Sequence, residues 1–299
     1  MMELAYRMVD VFASPQPASG NPLAVVLGAE HLSTEQMARF SAWTNLSECT
    51  FVLAPTDPRA DYRVRIFSLT TELPFAGHPT LGTARAWLDA GGVPRTPGVV
   101  VQECGAGLVP VRIQGSGGLV SSDDARLAAS DTLAFAAPPL RKTGPVSEAE
   151  LAGALEVLGV QAKDVASATW IDNGPGWMGI LLHSADAVRA LEPDLSARAG
   201  QWSIGVAGVY PAGGEAQVEV RAFFNDSGGP LREDPVTGSL NASIAQWLLG
   251  EGVLSSPYVA RQGRAVGADG YVFIDADASD VWVGGRAEVM VRGVLSAAW

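Results

Sequence analysis

The chain has 299 residues, 47% of them apolar and 17% charged, and no low-complexity tract. This excludes disordered, collagen-like and coiled-coil proteins and leaves one large domain or two medium ones. Twenty Lys and Arg stand against 32 Asp and Glu, a net charge of −12, which repels phosphate backbones and excludes nucleic acid as a partner. Cys49 and Cys104 are the two cysteines, and their separation fits neither a disulfide framework nor a metal site. Arg7 and Asp10 interrupt the first apolar segment, and no apolar run approaches the ~18 residues of a membrane span. The expectation is a cytoplasmic chain with no membrane partner.

In chain order, Leu4 to Phe12 and Leu23 to Leu27 are expected strands separated by the turn residues Gly20-Asn21-Pro22. Ser33-Thr34-Glu35-Gln36 is a capping box that starts a helix ending near Asn45. Strands at Cys49 to Leu53 and Tyr62 to Phe67 follow, then a turn-rich stretch, a helix from Pro79 to about Ala90, and strands at Val99 to Glu103 and Leu108 to Ile113. The stretch from Gly115 to Asp131 is rich in Gly, Ser and Asp and reads as a linker or exposed hairpin. Beyond it come a strand at Thr132 to Ala136, a capping-box helix from Ser147, and strands at Ala166 to Ile171, Trp177 to His183 and Val218 to Phe224. A helix from Ser239 to Leu249 closes at Gly250.

The halves are similar. Val64-Arg65-Ile66-Phe67 and Val220-Arg221-Ala222-Phe223 lie about half the chain apart, and each leads through a loop to a glycine that opens a helix carrying a tryptophan, Trp87 or Trp247. The second copy is a few residues longer, with the insertion expected around Pro230 to Asp234. A duplicated, pseudo-two-fold molecule with a cleft between its halves is expected.

Gly77-His78-Pro79-Thr80 and Thr237-Gly238-Ser239 stand at the two helix starts. The positive dipole end and free N–H groups of a helix N-terminus favour anions, so two such ends could hold a carboxylate or a developing enolate. A single glycine turn is more often plain capping. His78 beside such an end is a candidate acid, base or donor; His31 and His183 are not placed as ligands, and no histidine spacing suggests a metal. Glu48, between a helix end and an apolar strand, is a candidate carboxylate for proton exchange, since burial disfavours the charged form. Asp234 lies just before the second helix start. Glu72 and Cys49 read as structural, Cys49 because it begins an apolar strand and points away from its neighbour's face.

Together, Val9-Asp10-Val11-Phe12, Gly20-Asn21-Pro22-Leu23-Ala24-Val25, Asn45-Leu46-Ser47-Glu48, Glu72 to Ala84 (ELPFAGHPTLGTA) and Glu233 to Ser239 (EDPVTGS) resemble the PhzF-like family of phenazine-biosynthesis isomerases, related in fold to diaminopimelate epimerase. The resemblance implies an α/β (α+β) protein of two pseudo-symmetric lobes, each a curved, barrel-like mixed sheet around a central helix. It implies a first lobe of residues 1–125 plus 286–299, with a returning strand at Val289 to Leu295, and a second lobe of residues 126–285. Glu48 would be the proton-shuttling acid/base, assisted by His78, Asp234 and Ser239; Gly77 and Gly238, with Ser47 and Asn21, would bind the substrate. No metal or cofactor is implied, and a homodimer acting on a small carboxylic acid is. In the related amino-acid epimerases two cysteines occupy positions that match Ala76 and Thr237, which disfavours a two-thiol racemase. Ser68-Leu69, Cys49 and Ala268-Asp269-Gly270 depart from the family pattern. The expected activity is a cofactor-independent proton-moving isomerase. The alternatives are an amino-acid or hydroxy-acid epimerase and a catalytically silent carboxylate-binding protein.

Overall fold

The computed structural model describes residues 2–114, 132–196, 201–225 and 229–297. The expected linker at Gly115 to Asp131 lies outside the described residues. The chain divides into two compact units, Met1–Ala136 with Gly284–Trp299, and Ala137–Val283.

The first unit contains β1 (Met2–Val11), β2 (Asn21–Leu27), α1 (Thr34–Thr44), β3 (Cys49–Leu53), β4 (Tyr62–Ser68), β5 (Thr71–Leu73), α2 (Gly77–Asp89), β6 (Val99–Cys104), β7 (Gly107–Gln114) and β8 (Thr132–Ala136). The second contains β9 (Lys142–Pro145), α3 (Glu148–Leu158), β10 (Val165–Asp172), β11 (Met178–Leu182), α4 (Ala185–Arg189), β12 (Ser203–Val209), β13 (Val218–Phe224), β14 (Arg232–Asp234), α5 (Gly238–Gly250), β15 (Tyr258–Gln262) and β16 (Gly270–Ala276). The last strand, β17 (Val281–Ala297), returns to the first unit and runs antiparallel to β1.

Hydrogen bonding in the first unit passes from β17 through β1, β2, β3, β4, β6, β7 and β8 and back to β17, so the sheet closes into a barrel. Closure removes sheet edges and leaves an interior that needs filling. The helix α2 fills it: its residues from Gly77 to Ala84 are all buried, and it packs against β1, β2, β3, β6, β7 and β8. On the outside, α1 lays Met37 and Phe40 onto Phe51 and Phe67 of the sheet.

The second unit repeats the pairing scheme. Antiparallel β1/β2, parallel β2/β3, antiparallel β3/β4 and β4/β5, parallel β4/β6 and antiparallel β6/β7 have counterparts in β10/β11, β11/β12, β12/β13, β13/β14, β13/β15 and β15/β16. Central helix α5 packs on β10, β12 and β16, while α3 covers Met178, Ile180, Ile204 and Val206 from outside. The expected fold class, two pseudo-symmetric mixed-sheet units each built around a central helix, is therefore the one observed. Sequence register follows: Asp10 and Asp172 lie at or next to the end of the first strand of a copy and bind the next loop's amides, Ser19 and Gly20 in one case and Gly174 and Gly176 in the other.

Three expectations are corrected. The division between units falls after Ala136, not after 125, because β8 pairs with β7 and the returning strand and so belongs to the first unit. On the return the first unit begins at Gly284, not 286. The extra residues of the second copy lie in the loop between β13 and β14, upstream of the strand Arg232–Asp234. In the first copy that connection is Leu69-Thr70, with Leu69 in the left-handed region (φ 50°), a conformation closed to proline. Among the described residues no helix is long and apolar enough to cross a membrane.

Candidate active site

In the first unit, Ser47 and Glu48 occupy the turn after Asn45, whose left-handed conformation (φ 56°) ends α1. Both are half-buried. His78 is the second residue of α2 and its side chain is only 4% exposed, against 19% for Glu48. The two meet, with His78 Nδ1 2.9 Å from Glu48 Oε2. On the other side, His78 Nε2 lies 3.0 Å from the backbone oxygen of Asn21. A carbonyl oxygen only accepts, so Nε2 carries hydrogen, and Nδ1 and Glu48 share one proton. Either a protonated carboxyl donates to the neutral ring or an imidazolium donates to the carboxylate. The pair thus holds one exchangeable proton. Asn21 enters this arrangement through its backbone.

Cys49, next in sequence, is fully buried in the aromatic cluster under α1, with Thr44 Oγ1 3.0 Å from its sulfur. Burial pushes its thiol above the ordinary range, so it is a packing residue. Glu72 is turned away into a bidentate pair with Arg65, at 2.7 and 2.6 Å. Both residues have the structural place expected of them.

Gly77 opens α2 from the N-cap Ala76, which offers no side-chain cap. A Cβ at Gly77 would lie 2.3 Å from Phe135 Cζ, so the ring of β8 packs directly on this helix start. In the second unit, Gly238 opens α5, and its N-cap Thr237 also makes no side-chain bond to its own helix. The contrast with α1, α3 and α4 is sharp, because Ser33, Ser147 and Ser184 each accept a bond from their helix's first turn. Plain capping accounts for the outer helices and not for the two central ones. Two helix starts without side-chain caps keep N–H groups and a positive dipole end for an anion.

Ser239, the second residue of α5, stands where His78 stands in α2. Trp177 Nε1 donates to its Oγ at 3.1 Å, and Asn173 Nδ2 donates to its backbone oxygen at 2.9 Å. Indole N–H can only donate, so the Ser239 hydroxyl keeps its own proton for another acceptor. Asp234 ends β14; its Oδ2 accepts from Thr237 Oγ1 at 2.6 Å. Behind this loop lies Gln262, which is fully buried. Its Oε1 accepts from Thr237 N (3.1 Å) and Asn241 Nδ2 (2.8 Å), and its Nε2 donates to Asp234 O (3.1 Å) and Thr237 Oγ1 (2.9 Å).

Glu48, His78 and the Asn21 carbonyl thus come together in the first unit; in the second, Asp234 meets Thr237, the residue before Gly238, and Ser239 meets Trp177 and Asn173. Sequence reasoning missed Gln262, Asn173 and Trp177 as partners of these groups. The available signal was an uncharged polar residue, Gln262, inside a strand bounded by Gly263. Among the described residues no cluster of three or more His, Cys, Asp or Glu could hold a metal ion.

Residues 9–293 match the family model described as phenazine biosynthesis-like protein. The chain is 32% identical to the trans-2,3-dihydro-3-hydroxyanthranilate isomerase of Pseudomonas fluorescens, over 97% of this chain and 94% of that one. It is 32% identical to antisense-enhancing sequence 1 of Schizosaccharomyces pombe, covering 98% and 99% of the two chains. Among solved structures it is similar to a PhzF-family phenazine biosynthesis protein of Bacillus anthracis, with a TM-score of 0.78 and 20% identity over 99% of this chain and 100% of that one.

Proposed function

The chain belongs to the phenazine biosynthesis-like protein family and is an isomerase, and we propose that it moves a proton within a small unsaturated or cyclic carboxylic acid without a cofactor. The observation that carries this reading is the 2.9 Å contact between Glu48 Oε2 and His78 Nδ1, beside a helix start that lacks a side-chain cap. Glu48 removes a proton from carbon activated by a neighbouring unsaturated or carboxylate group. His78, fixed by the Asn21 carbonyl, keeps the Nδ1 proton as imidazolium beside the Glu48 carboxylate, and the proton that Glu48 has gained returns to another carbon of the same molecule. Ser47 lies beside Glu48 and binds the substrate from there. The N–H groups at the Gly77 helix start stabilise a carboxylate or a delocalised anion, and in the second unit the Gly238 helix start, with Asp234 and Ser239, offers anion-binding and polar groups of its own. A cytoplasmic homodimer belongs to this reading; light scattering that gives a monomer mass removes the dimer.

An epimerase of the two-thiol kind is disfavoured, because Ala76 and Thr237 occupy the two N-cap positions and neither side chain can act as a thiolate. The test is deuterium incorporation from solvent, first into trans-2,3-dihydro-3-hydroxyanthranilate, the compound named for the Pseudomonas fluorescens relative, and then across a panel of unsaturated carboxylic acids. Glu48→Gln lowers turnover by about 10²–10⁴-fold while carboxylate binding persists. Full activity in that variant removes Glu48 as the base. Ligand binding with no proton exchange in the unmodified chain favours the silent binding protein instead.

A further inference from the structure

We propose that Thr237 and Gln262 are positioning residues that hold Asp234 as an ionised acceptor and keep the first turn of α5 without a side-chain cap. The proposal rests on the reading of Asp234 and Ser239 as reaction residues given above.

The donor and acceptor roles leave little freedom. Thr237 N can only donate and Asp234 O can only accept, so their bonds to Gln262 settle which end of its amide is oxygen and which is nitrogen. Asn241 Nδ2 donates to the same oxygen, and is itself oriented by donating to Thr237 O at 2.9 Å. The remaining Nε2 hydrogen of Gln262 therefore goes to Thr237 Oγ1. That oxygen now accepts from Gln262, and among the described residues its own hydrogen has Asp234 Oδ2 as its acceptor, at 2.6 Å. A separation of 2.6 Å suits a hydroxyl donating to a charged carboxylate.

The same bonds explain why a threonine at an N-cap does not cap. Thr normally accepts from the second or third amide of its helix, as Ser33, Ser147 and Ser184 do in α1, α3 and α4. Here Gln262 and Asp234 hold the hydroxyl away from that role. The first unit reaches the same result differently, since the N-cap of α2 is Ala76 and has no polar group at all. Two routes to one outcome indicate that the open helix start is the feature retained.

The charged residues around Asp234 do not replace this arrangement. Its strand neighbour Glu233 is engaged with Arg221 of β13, Arg261 of β15 is engaged with Glu215, Asp269 and Tyr271, and the first turn of α5 carries no acidic group. The Thr237 hydroxyl is thus a side-chain donor that the fold presents to Asp234 Oδ2. Consequently Asp234 serves as an acceptor throughout, and the mobile proton belongs to Glu48 and His78.

The test compares the full chain with Thr237→Val, Thr237→Ser and Gln262→Met, each labelled with ¹³C at the aspartate carboxyls, the Asp234 signal being assigned by its loss in Asp234→Asn. Removing one hydrogen bond to a charged group raises the Asp234 titration midpoint by about one pH unit or more in Thr237→Val, and Thr237→Ser brings it back to within about 0.3 unit. Gln262→Met, which frees the hydroxyl to cap α5, moves the midpoint in the same direction. With trans-2,3-dihydro-3-hydroxyanthranilate, kcat falls about tenfold in Thr237→Val and recovers in Thr237→Ser. An Asp234 midpoint that stays put in both Thr237→Val and Gln262→Met overturns the proposal. A midpoint that moves as expected while Asp234→Asn turns over at the full rate supports the positioning and instead removes Asp234 from the reaction.

Discussion

The duplication supplies its own control for the energetics of ion pairs. Arg65–Glu72 and Arg221–Glu233 join equivalent strands in the two units with the same bidentate geometry, the second pair at 2.9 and 2.7 Å. Their surroundings differ: side-chain exposures are 24% and 41% in the first pair and 5% and 3% in the second. Arg221 also donates to the carbonyls of Val188 and Leu191, so removing its carboxylate strands a charge in the interior. Breaking a buried pair from one side costs about 3–5 kcal/mol, and breaking an exposed one about 0–1 kcal/mol. Glutamine at 233 retains one acceptor, which puts Glu233→Gln near the lower end. For 299 residues unfolding in one step, an entropy of about 2.1 cal/mol/K per residue converts about 3 kcal/mol into a fall of about 5 °C in Tm. Glu72→Gln moves Tm by less than about 2 °C on the same basis. Differential scanning calorimetry of the two variants beside the unmodified chain decides the matter. Equal shifts would refute the argument from burial.

Other variants probe the packing, the proton pair and the pH response. Gly77→Ala drives a methyl into Phe135 and costs about 1–3 kcal/mol, read by urea denaturation, and Phe135→Leu in the same chain recovers part of the loss. His78→Gln keeps a bond to the Asn21 carbonyl but cannot share a proton with Glu48, so solvent-deuterium incorporation falls at least about tenfold. Arg264, bonded to Glu215 at 2.6 Å through both terminal nitrogens, holds the Glu215 carboxyl down at about 2. A depressed carboxylate stabilises the fold above its unfolded value, about 4.3, and that stabilisation disappears as pH falls towards 2. Glu215→Gln is therefore less stable than the unmodified chain at pH 7, and the gap in urea midpoints narrows from pH 5 to pH 3. Glu219, in the same cluster, has the opposite sign: burial raises its carboxyl, so its contribution is complete at low pH and declines as pH rises. A gap that widens on acidification would contradict the assignment to Glu215.

Much of the fold could be read because local signals agreed with the tertiary structure. The capping boxes at Ser33 and Ser147 start α1 and α3 as expected, and Asn45 ends α1 through its left-handed backbone. Strand β3 has the expected limits, and the alternation of Val64 to Phe67 and its repeat led to β4 and β13. The strand at Ser203–Val209 went unread because SIGVAGV carries two glycines and no alternation. Its glycines answer to packing from elsewhere, since a Cβ at Gly205 would lie 2.2 Å from Leu240 of α5. β15 and β16 are short and flank the glycine-rich turn from Gly263 to Gly270. At the site, glycine-led helix starts are a local pattern and were legible. The bonds of Gln262 to Asp234 and Thr237 join residues about 25 positions apart and leave no mark on either segment alone.

The repeat also shows how one scaffold can carry two kinds of chemistry. Register equates Cys49, opposite Phe67, with Ile204, opposite Phe223, and so equates Glu48 with Ser203. By the same counting from the helix starts, Ala76 corresponds to Thr237 and His78 to Ser239. In the first copy these positions form a pair that shares a proton. In the second they are hydroxyls: Ser203 Oγ donates to Pro175 O, Ser239 accepts from Trp177, and Thr237 is tied to Asp234. The strand-pairing scheme, buried central helix and uncapped helix start are common to both, so the fold requires none of these side chains. The side chains beside the helix starts differ between the copies while the strand pairing around them stays the same. Selection for packing alone would have left the two sets alike, as it left the Arg–Glu pairs on β4 and β13. The Glu48–His78 contact in one copy and the Asp234–Thr237 contact in the other are thus two outcomes of the same helix-start arrangement.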